Sequence, residues 1–278
     1  MTRSDLATTF RRLHQPQDGA VLILPNAWDA VSARIIEAAG ARAIATTSAG
    51  VAWALGRRDG QGLTRGEMIE AVRRIAGAVR LPVTADVESG YGTGSPADVA
   101  KTVRAVTEAG AVGINLEDGP GRNGDPLLRT EEQQARIASA RAAGGGDQFI
   151  NARVDVFLRQ VGPESGRVDE ALRRGQAYAA AGADGVFVPG VTDPAVIRRL
   201  AEGISLPLNI MASAGSPTVG ELARLGVARI SVGPSITRAT LTVIRNAALE
   251  LLGPGTYDSL ADGLPFAEVN ALFPDTAR

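Results

Sequence analysis

Four stretches of the chain end a helical run in nearly the same way: Glu37-Ala38-Ala39-Gly40-Ala41, Glu108-Ala109-Gly110-Ala111, Ala180-Ala181-Gly182-Ala183 and Ala223-Arg224-Leu225-Gly226-Val227. A strand-like run follows each within a few residues. Glycine suits the left-handed position that closes a helix, and small neighbours let a helix lie close against a sheet. Two further strands open on a different signal, Leu81-Pro82-Val83 and Leu206-Pro207-Leu208. Together these signals predict strands at residues 21–25, 43–47, 82–86, 113–117, 149–153, 185–189, 208–211 and 229–232. Seven intervening segments have helical periodicity, among them 29–39, 65–79 and 168–180, and another at 236–252 follows the last strand.

Eight alternating strand–helix units in 278 residues predict an α/β fold, a (β/α)8 TIM barrel rather than an open doubly wound sheet. No Gly-x-Gly-x-x-Gly turn follows the first strand, which argues against dinucleotide binding. Residues 1–278 read as one barrel domain with an N-terminal helix carrying Leu6, Phe10 and Leu13. After Gly253-Pro254-Gly255 comes a C-terminal helical extension with Leu264, Phe266, Val269, Leu272 and Phe273. It is expected to cover the barrel or to dock on a partner subunit.

What the composition lacks narrows the chemistry. There is no cysteine, which removes thiolate nucleophiles, thiol acids, disulfides and zinc–sulfur sites. The only histidine, His14, lies in the N-terminal amphipathic segment and is expected at the surface. The only lysine, Lys101, falls on the outer side of a helix whose Val99 and Val103 face inward, so Schiff-base chemistry is not expected. Twenty-nine basic residues balance 30 acidic ones without a basic stripe, which excludes nucleic acid as an expected partner. No apolar run is long enough to span a bilayer and the N-terminus has no signal core, so a cytoplasmic location with no membrane partner is expected. Carboxylates, hydroxyls, arginines, backbone amides and a metal are left.

The acidic residues cluster where strands are predicted to end. Ala85-Asp86-Val87-Glu88-Ser89-Gly90-Tyr91-Gly92 follows one strand, and Glu117-Asp118 follows the next. Asp86 and Glu88 are two apart, so on a strand both carboxylates share a face. Like charges held side by side repel unless a cation lies between them. If the two strands are neighbours, Asp86, Glu88 and Glu117 converge, and hard oxygen ligands without nitrogen or sulfur suit Mg²⁺ or Mn²⁺. The alternative is that each acid caps the helix that follows.

Other polar residues mark the same end of the predicted barrel: Asn26 and Asp29, Thr47 and Ser48, Arg153 and Asp155. Ser48-Ala49-Gly50 at a strand–helix junction leaves amides free to meet a carboxylate. Asp59, flanked by Gly56 and Gly60, either shapes a turn or takes part in the chemistry. Arg153 is either paired near Asp155 or presented to a substrate carboxylate. The breaker-rich loop 119–128 reads as a lid or as an ordinary flexible connection.

Five ordered pieces resemble the isocitrate lyase/phosphoenolpyruvate mutase superfamily over nearly the whole chain. They are Thr47-Ser48-Ala49-Gly50-Val51-Ala52, Leu55-Gly56-Arg57-Arg58-Asp59, the stretch from Ala85 to Gly92, Leu116-Glu117-Asp118 and Ala152-Arg153-Val154-Asp155. The resemblance implies a (β/α)8 barrel whose last helix is exchanged between subunits of a homodimer or homotetramer. It implies Mg²⁺ near Asp86, Glu88 and Glu117, partly through water, with Thr47, Ser48, the Ala49 amide and Arg153 holding a small 2-oxo mono- or dicarboxylate. Asp59 matches an aspartate near the reacting end. The chain departs from the lyase pattern, Lys-Lys/Arg-Cys-Gly-His, with Gly121-Arg122-Asn123-Gly124-Asp125. Gly119 stands where phosphonate-type members carry a lysine, while Asn123 takes the place of their lid asparagine.

The resulting expectation is a Mg²⁺-dependent carbon–carbon lyase, oxaloacetate-decarboxylase-like or lyase-like, acting beside a 2-oxo carboxylate through an enolate. Tyr91 or a metal-bound water would return the proton. Phosphonopyruvate hydrolase or phosphoenolpyruvate mutase chemistry on a C–P bond is the first alternative. A 2-oxo acid binder with little turnover is the second.

Overall fold

The sheet order runs β1-β9-β8-β7-β6-β5-β4-β3-β2, every pairing is parallel, and the two ends of that order are joined by one residue. The computed structural model describes residues 2–15, 20–119 and 125–273. Its strands are β1 (Leu22–Leu24), β2 (Asn26–Ala27), β3 (Ile44–Thr46), β4 (Val83–Asp86), β5 (Gly113–Glu117), β6 (Phe149–Arg153), β7 (Gly185–Val188), β8 (Leu208–Met211) and β9 (Arg229–Ser231). β1 pairs with β9 and β2 with β3, so the two are halves of one stave divided at Pro25. Proline cannot donate to a ladder, and the break lets the stave turn from one neighbour to the other. Asn26 stitches the seam: its amide donates to Thr46 O (2.9 Å) and its oxygen accepts from Val232 N (3.0 Å). The result is an eight-stave α/β barrel of the TIM type.

Helices follow the strands: α1 (Arg3–Leu13), α2 (Ala30–Ala38), α3 (Ser48–Ala54), α4 (Arg65–Ala78), α5 (Pro96–Glu108), α6 (Thr130–Gly144), α7 (Arg167–Ala180), α8 (Pro194–Gly203), α9 (Val219–Arg224), α10 (Ser235–Leu252) and α11 (Phe266–Ala271). Their starts are marked in the sequence. Thr64 with Glu67 and Thr218 with Glu221 form capping boxes, and Ser95 and Asp193 cap helices that open on proline. The repeated glycines Gly40, Gly110, Gly182 and Gly226 all have φ between 89° and 103°. At Gly110 and Gly226 an added Cβ would also crowd Ala76 and Ala201 of neighbouring helices, at 3.2 and 3.1 Å.

α1 closes the N-terminal end of the barrel, with Ala7, Phe10 and Leu13 packed on Leu22, Leu24, Ala43, Ala45, Val112 and Phe149. This overturns the surface placement expected for His14, which is only 2% exposed. Its ring stacks on Phe149 at 4.0 Å and its Nδ1 lies 2.8 Å from Phe10 O. The helical spacing showed an apolar face but not that the face enters a barrel mouth. Burial, followed by the charge of Arg229, lowers His14 to about 3 and keeps it neutral. Lys101 is exposed beside Asp98, as expected. α10 carries little of its surface against the barrel: Val243, Ile244, Leu249 and Leu252 are all exposed. Among the described residues no helix is long and apolar enough to cross a membrane.

Candidate active site

The C-terminal ends of β3, β4, β5 and β6 bring the polar residues together. β4 and β5 are direct neighbours, and β5 aligns Glu117 with Arg153 of β6. Alternation along β5 points Glu117 inward and turns Asp118 into the wall. There the Asp118 carboxylate, fully buried, accepts from Asp155 N (2.9 Å), Arg174 Nη1 (3.1 Å) and Tyr178 OH (2.8 Å). Asp118 therefore fastens β5 to β6 and α7 rather than joining the cup.

Asp86 is the last residue of β4 and the hub of the acidic group. Its Oδ2 accepts from the Ser48 hydroxyl (2.9 Å) and amide (3.3 Å), and its Oδ1 from Glu88 N (3.3 Å). The strand stops there, so Asp86 and Glu88 do not share a strand face as the two-residue spacing predicted. Glu88 instead lies in a turn with φ of 48°, and Tyr91 follows with φ of 58°. Left-handed conformations at such residues are strained and persist only where the surroundings hold them. Here the Tyr91 hydroxyl donates to Glu88 Oε1 (3.0 Å), the Gln61 amide donates to Glu88 Oε2, and Glu117 N donates to Glu88 O (3.0 Å). Gly90, with φ of 93°, completes the turn; an added Cβ would meet Val99 Cγ2 at 2.6 Å.

Arg153 closes the other side. Its Nη1 lies 2.8 Å from Glu117 Oε2, and Nε and Nη2 grip both oxygens of Asp155 at 2.6 and 3.0 Å. Arg159 holds Asp155 from the far side at 3.2 Å. The Arg153 guanidinium also lies 5.9 Å from the centre of the Phe187 ring. Asp59 stands beside Ser48, Asp86 and Arg153. Thr47, whose hydroxyl makes no cap to the helix, precedes α3. The first bond inside that helix runs from Val51 N to Thr47 O, so the amides of Ala49 and Gly50 have no partner within it.

The electrostatics record an excess of negative charge. Burial, with Asp86 next, pushes Glu88 up to about 7, against the hydrogen bond from Tyr91. Partial burial of its carboxyl also raises Asp59, although the residue is exposed overall, with Asp86 acting in the same direction. Glu117 is raised by burial against the pull of Arg153, helped by Asp155, Asp86 and Glu88. Burial would lower Arg153, but Glu117, Asp155 and Asp86 outweigh it and hold the guanidinium protonated. Tyr91 is raised by burial and by Glu88, so its proton stays on the phenol.

Among the described residues no three acidic side chains form a ready-made ligand cluster. The cause is local: Glu88 is turned to Tyr91 and Gln61, and Glu117 to Arg153. The donors are nonetheless all hard oxygens, and their mutual repulsion is what a divalent cation relieves. Asn123, expected in the substrate pocket, lies outside the described residues, as do positions 120–124 of the loop expected to act as a lid.

Sequence reading missed several supports. Gln61 (φ 61°) contacts Glu88 and Ser89. Arg136 of α6, buried, donates to the carbonyls of Ser89 and Glu117 and ties the two acidic loops together. Arg229, in the barrel interior, was also passed over. Only Arg229 had a signal, a charge at an inward position of a predicted strand; the others are visible only in three dimensions.

Comparison with known proteins agrees with this arrangement. The phosphoenolpyruvate phosphomutase family model matches residues 10–252. An uncharacterized protein of Mycobacterium tuberculosis is 35% identical over 268 residues, 96% of each chain. An oxaloacetate decarboxylase of Ectopseudomonas mendocina is 35% identical over 184 residues, 62% of this chain and 59% of that protein. A candidate phosphonomutase of Burkholderia cenocepacia superposes with a TM-score of 0.83 at 46% identity, covering 88% of this chain and 99% of the other. A phosphonopyruvate hydrolase solved with oxalate and Mg²⁺ gives a TM-score of 0.84 at 27% identity, covering 98% and 95%. A parallel barrel with these strand-end acids, matched by the family model over most of its length, places the chain in the isocitrate lyase/phosphoenolpyruvate mutase superfamily.

Proposed function

We propose that this chain is a divalent-metal-dependent enzyme that breaks a bond at C3 of a small 2-oxo acid through an enolate, and that this bond is the C–P bond of a phosphonopyruvate-type substrate. The observation that carries the reading is the crowding of Asp59, Asp86, Glu88 and Glu117 at one barrel end, with more negative charge than Arg153 neutralises. The C–P choice is supported by the family model, by the phosphonomutase-like structure at 46% identity, and by the hydrolase that holds oxalate and Mg²⁺.

Asp86 would hold Mg²⁺ or Mn²⁺ directly, with Glu88 and Glu117 contributing through water. The ion supplies a Lewis acid for the charge that develops on the 2-oxo oxygen. The amides of Ala49 and Gly50 and the Thr47 hydroxyl would receive the substrate carboxylate, joined by the Ser48 hydroxyl once an ion replaces it on Asp86. Arg153, fixed by Asp155, fills the opposite wall with a preset cation. Asp59 would flank the scissile end, beside Ser48, Asp86 and Arg153. Asn123 would close the pocket from the loop. Tyr91 acts through Glu88, holding that carboxylate in place. Cleavage leaves the bonding pair of electrons in the enolate. The phosphoryl group passes to water, giving phosphate and, after protonation at C3, pyruvate, or to the 2-oxo oxygen, giving phosphoenolpyruvate.

A second reading is C–C cleavage, as in decarboxylation of oxaloacetate. The relative named oxaloacetate decarboxylase and the absence of any cysteine acid favour it, because CO₂ leaves without a proton donor. Incubation with phosphonopyruvate and oxaloacetate in Mg²⁺, followed by ³¹P NMR and CO₂ release, separates the two. Phosphate or phosphoenolpyruvate supports the first reading, and CO₂ with pyruvate the second. Binding without consumption marks a 2-oxo acid binder, and neither binding nor consumption overturns the proposal.

The exposed apolar residues of α10, Val243, Ile244, Leu249 and Leu252, support a homodimer or homotetramer that exchanges this helix between subunits. Light scattering on the wild type and on Ile244→Asp tests this. A wild-type monomer would contradict it.

A further inference from the structure

The interior of the barrel holds a charge that the acidic cup does not explain. Arg229 of β9 is fully buried. Ser231, two residues on, points to Asn209 inside the barrel (3.2 Å), so Arg229 points inward too. Its Nη2 donates to Asn115 Oδ1 (3.2 Å) on β5, the stave opposite β9 in the closed order. The guanidinium therefore crosses the barrel axis. Asn115 is the register partner of Asp86 and lies two residues before Glu117. Its oxygen also accepts from Asn151 Nδ2 (2.9 Å), which in turn reaches Asn209 Oδ1 (3.1 Å). Arg229 Nε and Nη1 have no hydrogen-bonding partner among the described residues. Among the described residues the Asn115 oxygen is the one acceptor the guanidinium has, and no carboxylate touches it.

A buried, unpaired guanidinium is costly unless the field around it is negative. Burial lowers Arg229 to about 9, which leaves it protonated at neutral pH; Asp86 above opposes that lowering, while His14 below stays neutral. We propose that Arg229 is a positioning residue: a fixed positive charge beneath the carboxylate cup that strengthens binding of the anionic substrate and weakens binding of the divalent ion. The inference rests on the metal-dependent reading above. A same-face step along a strand is about 6.6 Å. Charges at that separation in a partly polar interior alter each other's binding by about tenfold or more. Removing the Arg229 charge should thus tighten metal and loosen anion by about that factor each. A residue that merely fills the barrel would weaken both when replaced.

The test uses Arg229→Gln, which deletes the charge, and Asn115→Asp, which neutralises it in place. Calorimetry measures Mn²⁺ binding to the metal-free protein and oxalate binding to the Mn²⁺-saturated protein, with a thermal melt to establish folding. The expected result is opposite shifts of about tenfold in Arg229→Gln and Asn115→Asp. If Arg229→Gln does not fold, Asn115→Asp decides. Unchanged affinities, or both weakened together, in a folded charge-neutral variant overturn the proposal. If the wild type binds no Mn²⁺, the metal reading fails by itself, and oxalate binding to the metal-free protein then reads the charge. Equal oxalate affinity in wild type and Arg229→Gln, or no oxalate binding by either, overturns the role of Arg229.

Discussion

Raising the pH should destabilise the metal-free protein, and Glu88 contributes a separable part of the effect. This carboxyl is 4% exposed. Burial, with Asp86 beside it, lifts it from 4.5 to about 7. A carboxyl whose folded value lies above its unfolded value stabilises the fold while protonated. That contribution is complete below about pH 4.5 and is lost as the pH rises through about 7. The interval is worth about 3 kcal/mol, or about 6–12 °C of melting temperature for a chain of this size. Glu117, raised by burial against Arg153, acts in the same direction. Thermal melts of EDTA-treated protein from about pH 5 to about pH 9 read the effect. The wild type should lose melting temperature across the range, and Glu88→Gln should lose less, because it cannot ionise. Mg²⁺ should flatten the wild-type curve, since it binds the ionised cup. A level wild-type curve without metal, or a Glu88→Gln curve as steep as the wild type, would refute the reasoning.

Other consequences are independent of that titration. Asp86→Ala should abolish divalent binding, read by Mn²⁺ electron paramagnetic resonance; retained stoichiometric binding would move the ion elsewhere. Asp118→Ala removes the acceptor of Arg174 Nη1 and of the Tyr178 hydroxyl, while Arg174 keeps Glu170 at 2.7 Å, and should cost about 1–3 kcal/mol in urea unfolding. Arg153→Gln should raise KM for a 2-oxo acid about 10- to 100-fold by removing a charge-assisted contact, whereas an unchanged KM would place the substrate carboxylate away from it. Phe10→Ala empties the plug of the barrel and should cost about 3–5 kcal/mol, again by urea unfolding.

The barrel was legible because each unit carries its own punctuation. β5, β6 and β8 begin and end where the sequence places them: β5 opens on Gly113 and closes on Glu117, β6 closes on Arg153, and β8 follows Pro207. The sequence predicts that the first strand ends at Pro25, because nothing local shows that pairing resumes at Asn26–Ala27 against β3. The placement of Asp86 and Glu117 at the ends of adjacent strands followed from counting strands as neighbours. The position of Glu88 did not, because a left-handed turn, not a strand face, delivers it. His14 and Arg136 are polar residues on helical faces that meet the barrel, and helical periodicity alone carries no information about what a face meets. Asn115, Asn151, Asn209 and Arg229 could have been noticed as inward polar positions on strands. Their mutual contact depends on staves far apart in sequence.

Calorimetric titration of oxalate, a planar dianion shaped like the enolate of a 2-oxo acid, tests the central claim most directly. The account predicts one oxalate per chain, bound only when Mg²⁺ is present and lost in Asp86→Ala. Oxalate binding that is indifferent to Mg²⁺ and to Asp86, or no binding under any condition, would contradict it.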